Sequence, residues 1–396
     1  MSGTYKTIVL KVGKDGSLRR RHPWIFSGAI EKVPNNLQEG DTVRVVDSKG
    51  GFMCIGHFAI GSIAVRVLSF EDKKIDEGFW YERIDSALRL RRSLGLCRED
   101  NTIYRLVHGE GDGLPGLIVD VYGETAVIQA HSVGMHRERE AIARVVARLL
   151  GNSVNSIYYK SDQTLPFKAG CNGDTGYLLG HGANRTAVEN GLKFAIDYVH
   201  GQKTGFFIDQ RDNRSLLERY ATGRKVLNMF CYTGGFSVYA LRGGASEVHS
   251  VDSSARAMDV TAENVELNFG KDCDRHRGTT ADAFEFLAET SGDWDMMVVD
   301  PPAFAKHREA VRNALKGYIR LNAAAMEKMN RNSILFTFSC SQAIDKEQFR
   351  LAVFTAATKA RRNARILHQL HQPADHPINI YHPEGEYLKG LVVYVE

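Results

Sequence analysis

Two short polar motifs that follow apolar runs carry the residues most suited to chemistry in this sequence. Ser339–Ser341 (SCS) follows the run Ile334–Phe338, and Asp300–Pro302 (DPP) ends an apolar run that starts at Trp294. Both runs have the length and residue types of buried strands. The thiolate of Cys340 would be a nucleophile, and a carboxyl group can hold or transfer a proton. A free cysteine is more often an inert core residue, but the flanking serines and the strand end favour an exposed thiol.

A glycine-containing turn predicts a second site, for a nucleotide-like ligand. The predicted strand 225–230 is followed by Cys231–Phe236 (CYTGGF), where glycines let a ligand approach the backbone. Asp252 ends the next predicted strand, 18 residues beyond Gly234. An acidic residue at about this distance binds ribose hydroxyls in nucleotide-binding sheets. This turn does not match the GxGxxG spacing, which weakens a dinucleotide interpretation, and the sequence has no GxxxxGK[ST] loop to cradle a phosphate.

Two further aspartates continue this series: Asp282 lies where a third strand should end, and Asp300 ends the following strand, 294–300. A ligand with adenine, ribose and a cationic end, but no phosphate, would suit such carboxylates, and S-adenosylmethionine meets that description. Each aspartate taken alone is more often a helix cap or a turn residue, whereas their succession at strand ends favours a cofactor site. The cofactor contacts predicted here are Phe230, Tyr232, Gly234, Asp252, Asp282, Ala283 and Asp300.

Alternating strands and helices are predicted to position these residues from about residue 185 onwards. The predicted strands are 225–230, 247–252, 294–300, 333–338, 364–370 and 390–395, and the predicted helices are 236–241, 255–269, 309–329 and 345–361. Ser253 or Ser254 is a suitable N-cap for the second helix. This succession predicts an α/β fold with a doubly wound, mostly parallel, Rossmann-like sheet. Ligands bind at the carboxyl ends of the strands in such sheets.

Two smaller units are predicted before this sheet. Strands at 7–10, 42–47 and 64–68 indicate a small β-rich domain. An α+β domain follows, with helices at 79–95 and 137–150, strands at 126–130 and 156–160, and a turn-rich stretch at 105–123. The predicted domains are 1–72, 73–184 and 185–396.

Composition excludes several classes of protein. The chain has 396 residues, of which 43% are apolar, so it can bury packed cores and is not disordered throughout. No apolar run is long enough for a membrane span or a secretory signal, and the six cysteines form no CxxC pair. His371, His376 and His382 lack the spacing of a helical zinc site. We therefore expect a cytoplasmic protein with reduced thiols, no membrane attachment and no metal.

Charge is concentrated at the N-terminus. Residues 1–70 carry a net charge of +5, whereas the whole chain carries +4. A basic unit of this size fits either a polyanion-binding accessory domain or a solvated basic face. Arg19, Arg20 and Arg21 are the predicted contacts to the phosphates of such a polyanion. The neighbouring Trp24 and Phe26 are expected in the core of the small β domain.

Longer motifs make the sequence resemble the ribosomal RNA large subunit methyltransferase I family, whose members make 5-methylcytosine. The resemblance covers nearly the whole chain. It implies an N-terminal PUA domain, a central α+β domain and a C-terminal methyltransferase domain. The shared motifs are RRHPWIFSG (20–28), GEGDGLPG (109–116), KTGFFIDQRD (203–212), VLNMFCYTGGF (226–236), VD (251–252), NVELN (264–268), DPP (300–302), TFSCS (337–341) and ADHPINIYHPEGEYLK (374–389).

The resemblance implies a covalent mechanism. Cys340 would attack carbon 6 of a cytosine so that carbon 5 accepts the methyl group. Asp300 would hydrogen-bond the pyrimidine edge and, when protonated, stabilise charge on the ring nitrogen. The target is expected to be an unpaired or flipped cytosine of ribosomal RNA. Related enzymes carry a second cysteine after this proline motif, but Ala303 and Phe304 follow here, so the base that releases the product is not identified.

Other residues of the shared motifs are expected at the cofactor or the base. Phe206, Asp209, Gln210 and Arg211 would help to close the cofactor site, with Arg211 either paired with the methionine carboxylate or part of a structural Asp–Arg pair. Phe304 would stack on the target base or pack in the core.

Two other functions remain open at this stage, and so does the assembly. One is an RNA methyltransferase that acts on a base nitrogen, which needs no thiol. The other is a non-catalytic RNA-binding or ribosome assembly factor, which would bind the cofactor without transfer. A homodimer is considered, although no residue of the sequence decides it.

Overall fold

The protein is described here from a computed structural model that covers residues 5–165, 174–182, 184–304 and 310–396. The chain divides into two compact units. Unit 1 comprises Met1–Asn190, Ile196–Phe206 and Ala374–Gly385, and unit 2 comprises Gly191–Ala195, Phe207–Pro373 and Glu386–Glu396. The predicted domain boundaries near residues 72 and 184 stay a prediction. Cys171 lies outside the described residues.

A six-stranded sheet opens unit 1. Its order is β2-β6-β5-β4-β1-β3, with β1 parallel to β4 and the other pairs antiparallel. Its apolar core contains Ile8, Val43 and Val65, which are fully buried. The elements are β1 (Lys6–Leu10), α1 (Gly16–Arg19), β2 (Trp24–Phe26), β3 (Ile30–Lys32), β4 (Thr42–Val46), β5 (Phe52–Phe58) and β6 (Ile63–Ser69). The predicted β-rich beginning of the chain is confirmed.

A five-stranded sheet with the order β11-β10-β9-β8-β7 forms the rest of unit 1. Its elements are α2 (Glu77–Ser93), β7 (Ile103–His108), β8 (Leu117–Tyr122), β9 (Thr125–Ala130), α3 (Val133–Arg137), α4 (Arg139–Leu150), β10 (Ser156–Lys160) and β11 (Thr175–Leu179), followed by the short strand β12 (Thr186–Glu189). The turn-rich prediction for 105–123 is wrong in part, because β7 and β8 pair there as an antiparallel hairpin. Four of the glycines that suggested turns lie in the connection between these two strands, and the fifth, Gly123, follows β8.

Unit 2 contains the predicted doubly wound sheet. Its seven strands have the order β16-β15-β14-β17-β18-β20-β19, in which the first five are parallel and β20 is antiparallel to both neighbours. The strands of this sheet are β14 (Lys225–Met229), β15 (Glu247–Asp252), β16 (His276–Thr280), β17 (Trp294–Val299), β18 (Met329–Ser339), β19 (Ala364–Leu370) and β20 (Lys389–Val395). Unit 2 also contains the short strand β13 (Leu192–Ala195), which lies outside this sheet. The helices are α5 (Arg211–Tyr220), α6 (Gly235–Arg242), α7 (Ala255–Phe269), α8 (Ala283–Glu289), α9 (Val311–Glu327) and α10 (Lys346–Lys359).

Local sequence signals explain where several of these helices begin. Ser254 caps α7, as predicted, by accepting the N–H of Ala257. Asp345 and Gln348 form a capping box at the start of α10, in which each side chain accepts the other residue's backbone N–H. Within the described residues, no helix is both long enough and apolar enough to cross a membrane.

The capping box predicts a defined loss of stability. Asp345→Ala removes the acceptor for the Gln348 N–H, so we expect the free energy of unfolding to fall by about 1 kcal/mol. Asp345→Asn keeps a side-chain oxygen and is the matched control, which should retain most of this stability. Urea denaturation of the full chain, followed by far-UV circular dichroism, measures the difference. Equal midpoints for the Ala and Asn variants would contradict the role of the cap.

Candidate active site

The carboxyl ends of β14, β15, β17 and β18 bring the predicted chemical residues of unit 2 to one edge of the sheet. Asp300 directly follows β17, and Cys340 directly follows β18, which is its parallel neighbour in the sheet. Asp252 is the last residue of β15. The predicted convergence of strand ends is therefore confirmed, because parallel neighbours must end on the same side.

The turn that carries Cys340 is fixed from both sides by one buried tyrosine. Ser339 donates a hydrogen bond to the Tyr318 hydroxyl (2.9 Å), and Ser341 Oγ lies 3.1 Å from the same hydroxyl. Tyr318 is fully buried on α9. Cys340 is itself only partly buried, in contrast to Cys54 and Cys231, which belong to the core. The arrangement holds the thiol at the strand end rather than inside the sheet.

Asp300 is held by a hydrogen-bonded amide. Gln210 Nε2 donates to Asp300 Oδ2 (2.8 Å), and Asn213 Nδ2 donates to Gln210 Oε1 (2.6 Å), which fixes the orientation of the Gln210 amide. Desolvation, together with the negative charge of Asp209, raises the pKa of Asp300 to about 7. A carboxyl group with this pKa is substantially protonated at neutral pH and can then donate a hydrogen bond.

Asp209 adds a second carboxylate to the same edge. Its Oδ2 accepts a hydrogen bond from the Tyr387 hydroxyl (2.7 Å). Its Oδ1 is buried and has no hydrogen-bond partner among the residues that the structure describes. Desolvation is the largest cause that raises the pKa of the Cys340 thiol to about 11, and the charges of Asp300 and Asp209 add to this effect. The resting thiol is therefore protonated at neutral pH.

The turn after β14 forms the predicted cofactor loop. Asp252 accepts the N–H groups of Tyr232 and Ser254, both at 2.9 Å. Phe230 and Tyr232 adopt left-handed backbone conformations, with φ of +56° and +47°, and such conformations in non-glycine residues often mark functional sites. Gly234 has φ of +76°, and a Cβ atom there would lie 2.6 Å from Cγ2 of Thr261. The loop thus has one tightly determined shape.

Three other predicted cofactor residues lie in different settings. Asp282 is exposed and caps α8 by accepting the N–H groups of Phe284 and Glu285 (2.8 and 3.2 Å), and Ala283 is buried as the first residue of that helix. Phe206 is buried in unit 1, and its carbonyl accepts a hydrogen bond from Tyr122. Their contact with the cofactor stays a prediction.

Arg211 is buried at the start of α5, directly after Asp209 and Gln210. Its pairing with a cofactor carboxylate also stays a prediction. The charge of Arg214, one turn further along this helix, acts on Asp300 to lower its pKa, against the larger upward effect of desolvation.

The predicted RNA contacts differ in exposure. Arg19, Arg20 and Arg21 are all exposed in unit 1. Phe26 is 46% exposed, so its placement in the core is wrong; the end of a short strand leaves this ring in solvent. In unit 2, the Phe304 ring packs against Tyr318, with ring centroids 4.7 Å apart. This contact supports core packing for Phe304 and leaves base stacking as a prediction.

The sequence analysis did not assign four residues that contribute to this edge of the sheet: Tyr318, Ser339, Tyr387 and Lys389. Tyr387 and Lys389 lie in the shared motif at 374–389, which was the available signal. Lys389 Nζ donates to the Ser341 carbonyl (2.7 Å). Local patterns gave no reason to place that lysine beside Cys340.

The residues at this edge fit S-adenosylmethionine. The cofactor carries N–H donors on its amino acid end and hydroxyl donors on its ribose. Among the residues that the structure describes, the buried Oδ1 of Asp209 has no hydrogen-bond partner, so a cofactor donor placed there would satisfy it, because an unsatisfied buried oxygen is costly until it is paired. Asp252, at the end of β15, is the predicted acceptor for the ribose hydroxyls, and this contact stays a prediction.

Comparison with known families and proteins agrees with this geometry. The family model of S-adenosylmethionine-dependent methyltransferases matches residues 105–375, and that of PUA-like domains matches residues 8–70. The chain is 41% identical over 395 residues to "Ribosomal RNA large subunit methyltransferase I" of Aeromonas hydrophila, covering 98% of each protein. It is 40% identical to the protein of the same name from Photobacterium profundum, covering 98% of this chain and 99% of that one.

Solved structures show the same fold at lower sequence identity. A structure described as a candidate SAM-dependent methyltransferase from Streptococcus mutans superposes with a TM-score of 0.84 at 22% identity, covering 98% of this chain and 100% of that one. A candidate methyltransferase complexed with SAH gives the same TM-score, identity and coverage.

The cofactor loop predicts a specific effect of one methyl group. Gly234→Ala would place a Cβ atom against Thr261 in addition to straining a left-handed backbone. We expect the dissociation constant for S-adenosylmethionine to rise by about tenfold or more, as measured by isothermal titration calorimetry. Gly223→Ala is the matched control, since Gly223 also has positive φ (+71°) but has no atom within 4 Å of the added Cβ. Equal affinities of the two variants would contradict the proposed role of the loop.

Proposed function

The chain belongs to the ribosomal RNA large subunit methyltransferase I family, and we propose that it methylates carbon 5 of a cytosine in large-subunit ribosomal RNA through a covalent adduct with Cys340. S-adenosylmethionine is the cofactor and supplies the methyl group from its sulfonium. The observation that carries the proposal is the pairing of a partly exposed thiol at the end of β18 with a carboxyl group of raised pKa at the end of β17.

The thiol overcomes the low nucleophilicity of carbon 5. The Cys340 sulfur, after losing its proton, forms a bond to carbon 6 of the base. The electron pair of the 5,6 double bond then makes carbon 5 nucleophilic, so that carbon 5 takes the methyl group. Transfer of the proton from carbon 5 to solvent returns an electron pair to the ring and breaks the bond between sulfur and carbon 6. The thiolate is regenerated in this last step.

Asp300 supports the addition by supplying a proton at the opposite side of the ring. In its protonated form it donates a hydrogen bond, and then a proton, to nitrogen 3, which becomes more basic as sulfur adds to carbon 6, and it takes this proton back when the adduct breaks down. The neighbouring charge of Asp209 favours that protonated form. Gln210 holds the carboxyl group in place through Oδ2.

The proposed substrate is ribosomal RNA with the target cytosine unpaired or flipped out of a helix. A base within a duplex cannot present carbon 5 and carbon 6 to both the thiol and the methyl donor. The exposed Arg19, Arg20 and Arg21 are proposed to contact phosphates. PUA-like sequence in residues 8–70 supports RNA binding by this part of the chain.

Trapping the adduct tests the proposal. We expect Cys340→Ala to lower the single-turnover rate of methyl transfer to unmodified ribosomal RNA by about a thousandfold or more, because loss of a covalent nucleophile leaves only binding and orientation. RNA that carries 5-fluorocytosine at the target should form a stable protein–RNA adduct with the wild-type chain and none with the variant. The fluorine takes the place of the proton that must be removed from carbon 5, so the adduct with Cys340 cannot break down.

Cys273→Ala is the matched control for this experiment. Cys273 is a partly buried free cysteine between α7 and β16, and its loss should leave both transfer and adduct formation intact. Digestion of the RNA product to nucleosides identifies the methylated atom. A Cys340→Ala enzyme that methylates a base nitrogen at the wild-type rate would replace the proposal by the nitrogen-methylating alternative. Cofactor binding without any transfer would instead support a non-catalytic factor.

The pKa of Asp300 predicts the pH profile. The thiolate fraction of Cys340 rises tenfold per pH unit below its pKa of about 11, whereas the protonated fraction of Asp300 falls tenfold per unit above about 7. The wild-type single-turnover rate should therefore rise up to about pH 7 and then level off. Asp300→Asn keeps a hydrogen-bond donor that does not titrate, so its lower rate should continue to rise to pH 9. A wild-type rate that also rises through pH 9 would show that Asp300 does not act as the acid.

A further inference from the structure

Lys389 is a buried cation that the proposed reaction has not used. It ends the shared motif at 374–389 and is only 5% exposed. Burial of a lysine is costly unless its ammonium group is hydrogen-bonded or paired. Such a residue at the edge of an active site therefore calls for a specific role.

The sheet places Lys389 next to the turn that carries Cys340. Lys389 begins β20, which runs antiparallel to β18, and it pairs in register with Ser339 at the end of β18. Its Nζ atom donates a hydrogen bond of 2.7 Å to the carbonyl oxygen of Ser341. The ammonium group thus binds the backbone directly after Cys340.

Neighbouring charges link the protonation of Lys389 to that of Cys340. Desolvation lowers the pKa of Lys389 to about 8, with a smaller contribution from Lys346, while Cys340, Glu386 and Asp345 oppose this shift. Lys389 therefore remains mostly protonated at neutral pH. The Cys340 thiol faces two carboxylates, Asp300 and Asp209, that disfavour its ionisation, and Lys389 is the lysine whose charge favours it.

We propose that Lys389 is a positioning residue whose ammonium group fixes the Cys340–Ser341 turn and stabilises the Cys340 thiolate for attack on the base. When the thiol ionises, its proton goes to solvent, the electron pair stays on sulfur, and Lys389 keeps its own protons. The proposal rests on the proposed nucleophilic role of Cys340, but its effect on the thiol is measurable without RNA. The positive charge of Lys389 also offsets the negative charges of Asp300 and Asp209, which oppose ionisation of the thiol.

Thiol alkylation measures this effect directly. Iodoacetamide reacts with the thiolate, so the alkylation rate of the Cys340 peptide, followed by mass spectrometry from pH 6.5 to 9, reports its ionised fraction. Lys389→Met should slow this alkylation by about tenfold near pH 6.5–7, which corresponds to a rise of about one unit in the pKa of Cys340, and the difference should shrink above pH 8, where Lys389 itself loses its charge. Lys389→Arg keeps a cation that can donate to Ser341, and it should recover most of the rate.

Lys359→Met is the matched control, because it removes an exposed lysine of α10 and should leave the alkylation rate unchanged. Far-UV circular dichroism and calorimetric binding of S-adenosylmethionine establish that each variant is folded. If folded Lys389→Met is alkylated at the wild-type rate, the proposal is overturned. If it is alkylated slowly while Cys340→Ala retains methyl transfer, Lys389 governs the thiol but the covalent mechanism fails.

If the proposal holds, a variant whose Cys340 thiol is alkylated slowly should also transfer the methyl group slowly. The single-turnover rate of Lys389→Met should fall by about the same factor as its alkylation rate, again about tenfold, and Lys389→Arg should recover both. A variant with normal alkylation and slow transfer would indicate a merely structural effect on RNA placement and would overturn the inference.

Discussion

The confinement of several ionisable groups to one partly desolvated edge is the constraint on which the site depends. Two carboxylates and a thiol meet where β17 and β18 end, and their negative forms repel one another. Low local polarity strengthens that repulsion, so the groups cannot all ionise together. One carboxyl group retains its proton near neutral pH and becomes an acid. The thiol becomes harder to ionise, and it needs positive charge nearby to become a nucleophile.

This constraint gives the hydrogen bonds around these groups a role in the chemistry. Gln210 and Tyr387 each bind one oxygen of a different carboxylate, Asp300 and Asp209, and so hold the two groups at fixed places. The fully buried Tyr318 fixes the serines on both sides of Cys340. Charge effects fall with distance, so small displacements of these groups would change the proton affinities on which the proposed reaction relies. Rigid positioning is therefore part of the chemistry.

The strand order supplies these groups from distant parts of the chain. Parallel strands β14, β17 and β18 are neighbours, and their carboxyl ends contribute the cofactor loop, Asp300 and Cys340. The C-terminal strand β20 enters antiparallel beside β18, so that its first residue, rather than its last, reaches the same edge. An antiparallel insertion thus brings a lysine to the carboxyl edge of an otherwise parallel set of strands.

Local patterns in the sequence determined most strands and helices of unit 2, although not β13, β16, α5 and α8. They also determined the Ser254 cap and the strand-end positions of Cys340, Asp252 and Asp300. These features follow from short-range spacing and from the rule that parallel strands end on one side. Only the tertiary structure decided that Gln210 holds Asp300, that Tyr387 binds Asp209, and that Lys389 lies beside Ser341. Those contacts depend on strand order and register between residues far apart in the chain. The raised pKa of Asp300 likewise arises from burial and a neighbouring charge, and neither is encoded in local spacing.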